Sequence, residues 1–365
     1  MRIIESVAYS TANLASAPMS GNGASFSIDL CVTSRVARYE SECRGIEIVL
    51  NDLKYPGKSL EKGEYTGSEP IDVELVKKII EKTVMNTLHQ FGSSLSECSN
   101  FGISFDIESK IPSDSGLGFK EALINSVMLS TLGLIAGEHN GHNRGRDGIY
   151  ELKIDKFLSE QFFLMKNTIV DKRKLIDLSN SISTGFSPQK TSRFDRVVGS
   201  FYGGFIVSNN YKNKIMRIGK MEDMGAVILT PEEGILNENL EEKMMFRNEM
   251  EIIWNEALKG NLYTAMKLNA MTNMPGNYLK IVKEMLKAHA LSVTVSGSSI
   301  VALVRDRSKV EGVAGAAGKY GDVILTNVNN SEARILSKER KIVKTTEFLK
   351  ICEESNFEPR NFQFI

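Results

Sequence analysis

The densest chemical signal lies in residues 111–122 (IPSDSGLGFKEA), between an alternating segment and a long apolar run. Pro112, Ser113, Asp114, Ser115, Gly116, Leu117, Gly118 and Phe119 form a small, glycine-bearing turn whose backbone N–H groups can point at an anion. A helix starting just after it adds the partial positive charge of its N-terminus. Lys120 adds a mobile cation for phosphate oxygens. This is the chemistry of a nucleoside triphosphate cradle. The same residues also suit an ordinary strand-to-helix turn with Ser115 as the N-cap. The GK[ST] ending of a Walker loop is missing.

Three other segments carry weaker signals. In residues 16–29 (SAPMSGNGASFSID), Gly21, Asn22 and Gly23 precede a strand-like run, which argues against a dinucleotide fingerprint and leaves a binding turn or a plain hairpin. In residues 191–207, Asp195 sits between Arg193 and Arg196. Neighbouring guanidiniums favour the ionised carboxylate, which could orient or deprotonate a substrate hydroxyl while the arginines bind an anion. The bland alternative is a solvated, salt-bridged helix start. In residues 293–304 (VTVSGSSIVALV), Gly297 and Ser298 lie between apolar flanks and allow either a close backbone approach or a tight bend in a sheet core.

Composition narrows the class. The 365 residues carry 45 Lys+Arg against 45 Asp+Glu, which argues against nucleic-acid binding by bulk phosphate neutralisation. Hydrophobic residues at 42% and charged ones at 25% are globular values. Four cysteines without CxxC spacing and four histidines complete no zinc pattern, and free thiols fit a reducing cytosol. The N-terminus lacks the apolar core of a signal peptide, and no run of about 18 apolar residues exists, so the expectation is a cytoplasmic protein that does not cross a membrane.

The elements that must position these segments follow from periodicity. Strands are expected over residues 27–36, 45–50, 101–107, 205–208, 225–230 and 322–327, where apolar residues alternate or cluster with β-branched ones. Helices are expected over 73–91, 119–136, 239–259, 262–271, 278–289 and 310–320. The helix over 119–136 is apolar nearly all round and should be buried. Residues 149–178 read as a mixed helical stretch, and the small polar run 179–193 as the best domain junction.

Taken together, the four segments occur in an order that resembles the GHMP superfamily of small-molecule kinases, in particular the archaeal type of shikimate kinase, over about residues 10–335. Residues 112–122 resemble the phosphate loop, Phe194 and Asp195 through Gly203 and Gly204 the catalytic segment, and Thr294 to Leu303 the third glycine motif. The resemblance implies a two-domain α+β fold: residues 1–185 with the phosphate loop, 186–337 as a ferredoxin-like domain, and 338–365 as an extension. It also implies ATP and Mg²⁺ as cofactors, Asp195 and Lys120 as catalytic groups, and an acceptor bound by Gly21, Asn22, Gly23, Asp29, Arg193, Arg196, Gly297 and Ser298. A homodimer is compatible with it. Where the family has two serines, this loop has Phe119 and Lys120, so Glu121 is the nearest carboxylate for the metal. A mevalonate-kinase-like register puts Arg196, not Asp195, at the catalytic position. These departures and the basic sets Arg193/Arg196 and Lys172-Arg173-Lys174 point first to mevalonate 3-phosphate phosphorylated at its 5-hydroxyl. Shikimate is the alternative acceptor, and a non-catalytic binding protein the alternative class.

Overall fold

A computed structural model describes residues 3–17, 21–40, 46–55, 58–59, 72–91, 101–112, 115–137, 149–154, 161–165, 168–187, 192–231, 245–273, 278–336 and 340–343. The chain opens with two long antiparallel strands, β1 (Ile3–Ala17) and β2 (Asn22–Glu40), with Gly21 and Asn22 at the described edge of their hairpin. β3 (Ile46–Tyr55), the short β4 (Lys58–Ser59) and β5 (Phe101–Ser109) extend this sheet. β3 and β5 run parallel, which requires a crossover, and α1 (Val73–Phe91) supplies it. α2 (Phe119–Gly137) then crosses the sheet. Its apolar residues are buried all round because β1 and β2 lie on one side and α1 and two later helices on the others.

Of residues 149–178, expected to be helical, 172–178 are, while the described part before them is strand. The strands are β6 (Ile149–Ile154), β7 (Gln161–Met165) and β8 (Thr168–Asp171), a meander closed by β16 (Arg340–Val343). α3 (Lys172–Gly185) follows, capped by Asp171, whose carboxylate accepts the Arg173 N–H at 2.7 Å. The small polar residues expected to mark a junction are its second half. Ser179, Asn180 and Ser183 are buried there beside Ile182, where the helix packs on α2 and on the helix that follows it. Asn125 of α2 fixes the arrangement: it accepts from Ser179 Oγ at 2.6 Å and donates to the Val197 carbonyl at 3.1 Å.

α4 (Phe194–Tyr202) is followed by β9 (Phe205–Asn209) and β10 (Lys214–Gly219), and β9 pairs with β2. The first sheet and its core therefore run straight through residue 186. β15 (Arg334–Ile335) returns late to pair with β1. A second sheet has the order β12 (Ser292–Ser296), β13 (Ser299–Val304), β11 (Gly225–Pro231), β14 (Gly321–Asn327). Its strands are apolar on both faces. Ala226, Ile228, Val301 and Leu303 enter the large core, while Val227, Leu229, Ile300 and Ala302 enter a smaller one. The large core also receives α5 (Arg247–Lys259) and part of α6 (Leu262–Asn273); the smaller one receives α7 (Leu279–Lys287) and α8 (Val310–Ala317). The architecture is a mixed α+β one. Residues 239–244 of the expected helix and 344–365 of the expected extension lie outside the described residues.

Candidate active site

Three of the four sequence segments meet at one point. Gly116 and Gly118 take positive φ (70° and 74°), which lets the chain turn sharply into α2. Ser115 does not cap that helix: its hydroxyl bonds the Pro112 carbonyl at 2.6 Å, and the first intrahelical bond runs from the Ala122 N–H to the Gly118 carbonyl. The first turn of α2 follows directly on these glycines, and its leading N–H groups have no partner within the helix. Ser113 and Asp114 lie outside the described residues. Against the loop lies the tight turn between β12 and β13, where Ser296 pairs with Ser299 and Gly297 (φ 60°) and Ser298 form the tip. The two backbones touch: a Cβ built on Gly116 would sit 2.3 Å from the Gly297 Cα. Neither position has room for a side chain.

α4 enters between them. Both of its candidate residues are buried, Asp195 at 3% exposure and Arg196 at 5%, so this is not a solvated helix start. Consecutive helix residues point about 100° apart, and the two reach different walls. The Arg196 guanidinium donates to the Gly116 carbonyl at 2.8 Å, to Asn13 Oδ1 at 2.8 Å and to Ser296 Oγ at 3.2 Å. It joins the Gly116–Gly118 loop, β1 and the glycine turn. Asp195 turns toward the β1–β2 hairpin. Its Oδ1 accepts from Asn210 Nδ2 at 2.9 Å, and a Cβ on Gly23 would come within 2.6 Å of that oxygen. Asn210 is itself fixed, its Oδ1 accepting from the Asp195 N–H and from Ser208 Oγ.

Beside the loop lies a charge cluster. Glu121, 4% exposed, accepts from Ser183 Oγ at 2.8 Å, and Lys120 Nζ lies 3.7 Å from the same oxygen. Lys120 also donates to the Ser183 carbonyl at 3.0 Å. Burial opposes ionisation of Glu121, but the charges of Lys120 and Arg196 and the Ser183 hydroxyl outweigh it and hold the carboxyl below its ordinary value. Expected as the metal ligand, Glu121 has its charge answered by protein cations instead. Among the described residues no group of three or more His, Cys, Asp and Glu could hold a metal ion. The described donor set does not fit a protein-held Mg²⁺, and fixed positive charge beside the loop comes from Lys120 and Arg196.

Other expected residues lie differently. Asp29 is exposed at an irregularity in the β1–β2 register, and its carbonyl accepts from Thr326 of β14, so the structure does not bring it to this cluster. Arg193 sits half-buried at the N-cap of α4. Lys172 is fully buried and paired with Glu332 at 3.2 Å, so it is not a solvated helix-end cation, while the partly exposed Arg173 bonds Asp177 and stacks over Phe194. Asn13, Asn210 and Ser183 escape sequence reasoning, because isolated polar residues carry no motif.

No protein-family model matches the chain. It is 26% identical over 266 residues to a shikimate kinase of Methanobrevibacter smithii, covering 71% of this chain and 82% of the relative. It is 23% identical over 334 residues to a shikimate kinase of Methanosarcina acetivorans, covering 89% and 94%. Among solved structures it resembles a homoserine kinase from Cytophaga hutchinsonii (TM-score 0.58, 16% identity, covering 92% of this chain and 98% of that one). It also resembles the mevalonate kinase of Methanococcus jannaschii (TM-score 0.57, 17% identity, 92% and 98%). At these identities the structural likeness is one of fold. Among the described residues no helix is long and apolar enough to cross a membrane.

Proposed function

We propose that the chain is a small-molecule kinase of the GHMP type that transfers the terminal phosphoryl group of ATP to a hydroxyl of a small anionic metabolite, with shikimate as the acceptor. The names of its sequence relatives support shikimate. One observation carries the reaction: adjacent residues on the first turn of α4 serve two walls, Arg196 the phosphate loop and Asp195 the hairpin at Gly23.

ATP supplies the transferable group. The first-turn N–H groups of α2 and the glycines of the loop form the cradle for its phosphates. Lys120, partly buried, and Arg196, buried, bring positive charge beside the loop, where it would act on a phosphoryl group in transit. Arg196 does this while holding the Gly116 carbonyl, so the loop needs no rearrangement at the moment of transfer. Asp195, fixed by Asn210, receives the proton of the attacking hydroxyl.

Mevalonate 3-phosphate is the second reading. It needs cations for an additional phosphate, and Lys172, Arg173 and Arg196 already hold partners in the fold. Arg193, with no side-chain partner among the described residues, is what favours it. The same guanidinium can take the carboxylate of shikimate.

The test is ATP consumption with Mg²⁺ against shikimate, mevalonate 3-phosphate, mevalonate and homoserine. Turnover with shikimate alone supports the first reading, and turnover with mevalonate 3-phosphate alone replaces it with the second. In the active reaction, Asp195→Asn should lower kcat by about 10²–10⁴ while ATP still raises Tm. ATP stabilisation without turnover of any acceptor would mark a non-catalytic binding protein.

A further inference from the structure

The hairpin that faces Asp195 is gripped from a distant part of the chain. Trp254, the single tryptophan of the sequence, is 8% exposed and donates its indole N–H to the Gly23 carbonyl at 3.2 Å. Three residues earlier, on the same face of α5, both carboxylate oxygens of Glu251 accept from Asn22 Nδ2, at 3.3 and 3.4 Å. Asn22 Oδ1 accepts in turn from Asn209 at 3.0 Å. The Tyr211 ring fills the space where Gly21 would carry a Cβ.

We propose that Trp254 and Glu251 are positioning residues for the acceptor side of the site. The proposal rests on the kinase reading above. Neither side chain bonds Asp195 in the structure; both act through the hairpin. The indole fixes the peptide that follows Gly23, and the Asp195 carboxylate lies directly against that glycine, so the place of the peptide sets the place of the carboxylate. Glu251 fixes the neighbouring residue through its side-chain amide. The phosphate loop is held by a separate set: Arg196 and Ser296 bond the Gly116 carbonyl, and Gly297 packs against Gly116. Two grips on two walls imply separable effects on the two substrates.

The experiment is steady-state kinetics of the full chain, with the acceptor that supports turnover, for wild type, Trp254→Phe, Glu251→Ala and Glu251→Gln. Trp254→Phe keeps an aromatic ring and removes the donor. It should raise the acceptor KM about five- to tenfold, the worth of one buried hydrogen bond, and leave the ATP KM within about twofold. Glu251→Ala should act in the same direction, and Glu251→Gln, which keeps an oxygen for Asn22, should restore most of the loss. In wild type, Trp254 emission should change on titration with acceptor and stay unchanged with a non-hydrolysable ATP analogue. Equal movement of both KM values, no movement of either, or emission that follows the nucleotide alone would overturn the proposal while the kinase reading stands. If wild type turns over no acceptor, the kinase reading falls and takes this one with it. Should Trp254→Phe not fold, the Glu251 pair, at a half-buried surface position, decides the question.

Discussion

The contact between Gly116 and Gly297 offers a sharp perturbation. A Cβ placed on Gly297 lands 2.4 Å from the Gly116 Cα, 3.0 Å from its nitrogen and 3.2 Å from the Ser115 carbonyl oxygen. All three obstacles are backbone, so no rotamer change can make room. Ordinary contacts begin near 3.4 Å, so in Gly297→Ala the loop and the turn must part by about 1 Å, a displacement that can cost about 10²-fold in rate. The φ of 60° adds a second penalty, about 1–2 kcal/mol for a left-handed non-glycine residue. The expected outcome is a loss of about 100-fold in kcat/KM for ATP with a modest fall in Tm. Gly312→Ala is the matched control: its Cβ would meet nothing within 4 Å. It lies inside α8, where alanine should stabilise by up to about 1 kcal/mol, with kinetics unchanged. Activity of Gly297→Ala within threefold of wild type would refute the reasoning, since the loop would then tolerate a displacement that the site geometry forbids.

Other expectations can be checked with the same protein. Arg196→Met removes a buried cation bonded to Gly116, Asn13 and Ser296 and should cost about 3–5 kcal/mol in urea unfolding; Arg196→Lys should recover only part, because one ammonium cannot reproduce the fork. Gly23→Ala would push a Cβ to 2.6 Å from Asp195 Oδ1; the fold should persist, since the obstacles are side chains, while kcat falls at least tenfold and the ATP KM stays put. Despite its burial, Glu121 has a folded-state pKa held below the ordinary carboxylate value by Lys120, Arg196 and the Ser183 hydroxyl. It therefore contributes stability above the unfolded value and loses it as pH falls through the folded one. Glu121→Gln should flatten this part of the acid limb of the urea midpoint, and an identical limb in both proteins would argue against a buried, ionised Glu121.

Much of the fold could be read directly. The helix over 73–91 and the buried helix beginning at Phe119 stand where periodicity puts them, as do the strands beginning at Phe101, Phe205 and Gly225. Their signals are local: a 3.6-residue stripe, a uniformly apolar face or strict alternation needs no knowledge of the partner. The order of the four glycine and acidic segments was legible too, because turns at positive φ demand particular residues at particular places.

Readings that depended on a distant partner were settled only by tertiary contact. Residues 149–178 look helical by composition, yet pairing among β6, β7, β8 and β16 makes 149–154, 161–165 and 168–171 strand, while 172–178 are helical. The small polar residues 179–185 resemble a linker until α2 is packed against them, when Ser179, Asn180 and Ser183 become buried. Arg193, Asp195 and Arg196 are a charged cluster in sequence. Folding buries Asp195 and Arg196 and sends them to opposite walls, a division of labour set by the angle between neighbouring helix positions and by strands more than a hundred residues away. The sequence alone determined which residues could do chemistry, since type and spacing are local properties. Only the tertiary structure decided which charge faces which wall, because that follows from what each side chain meets once the core has closed.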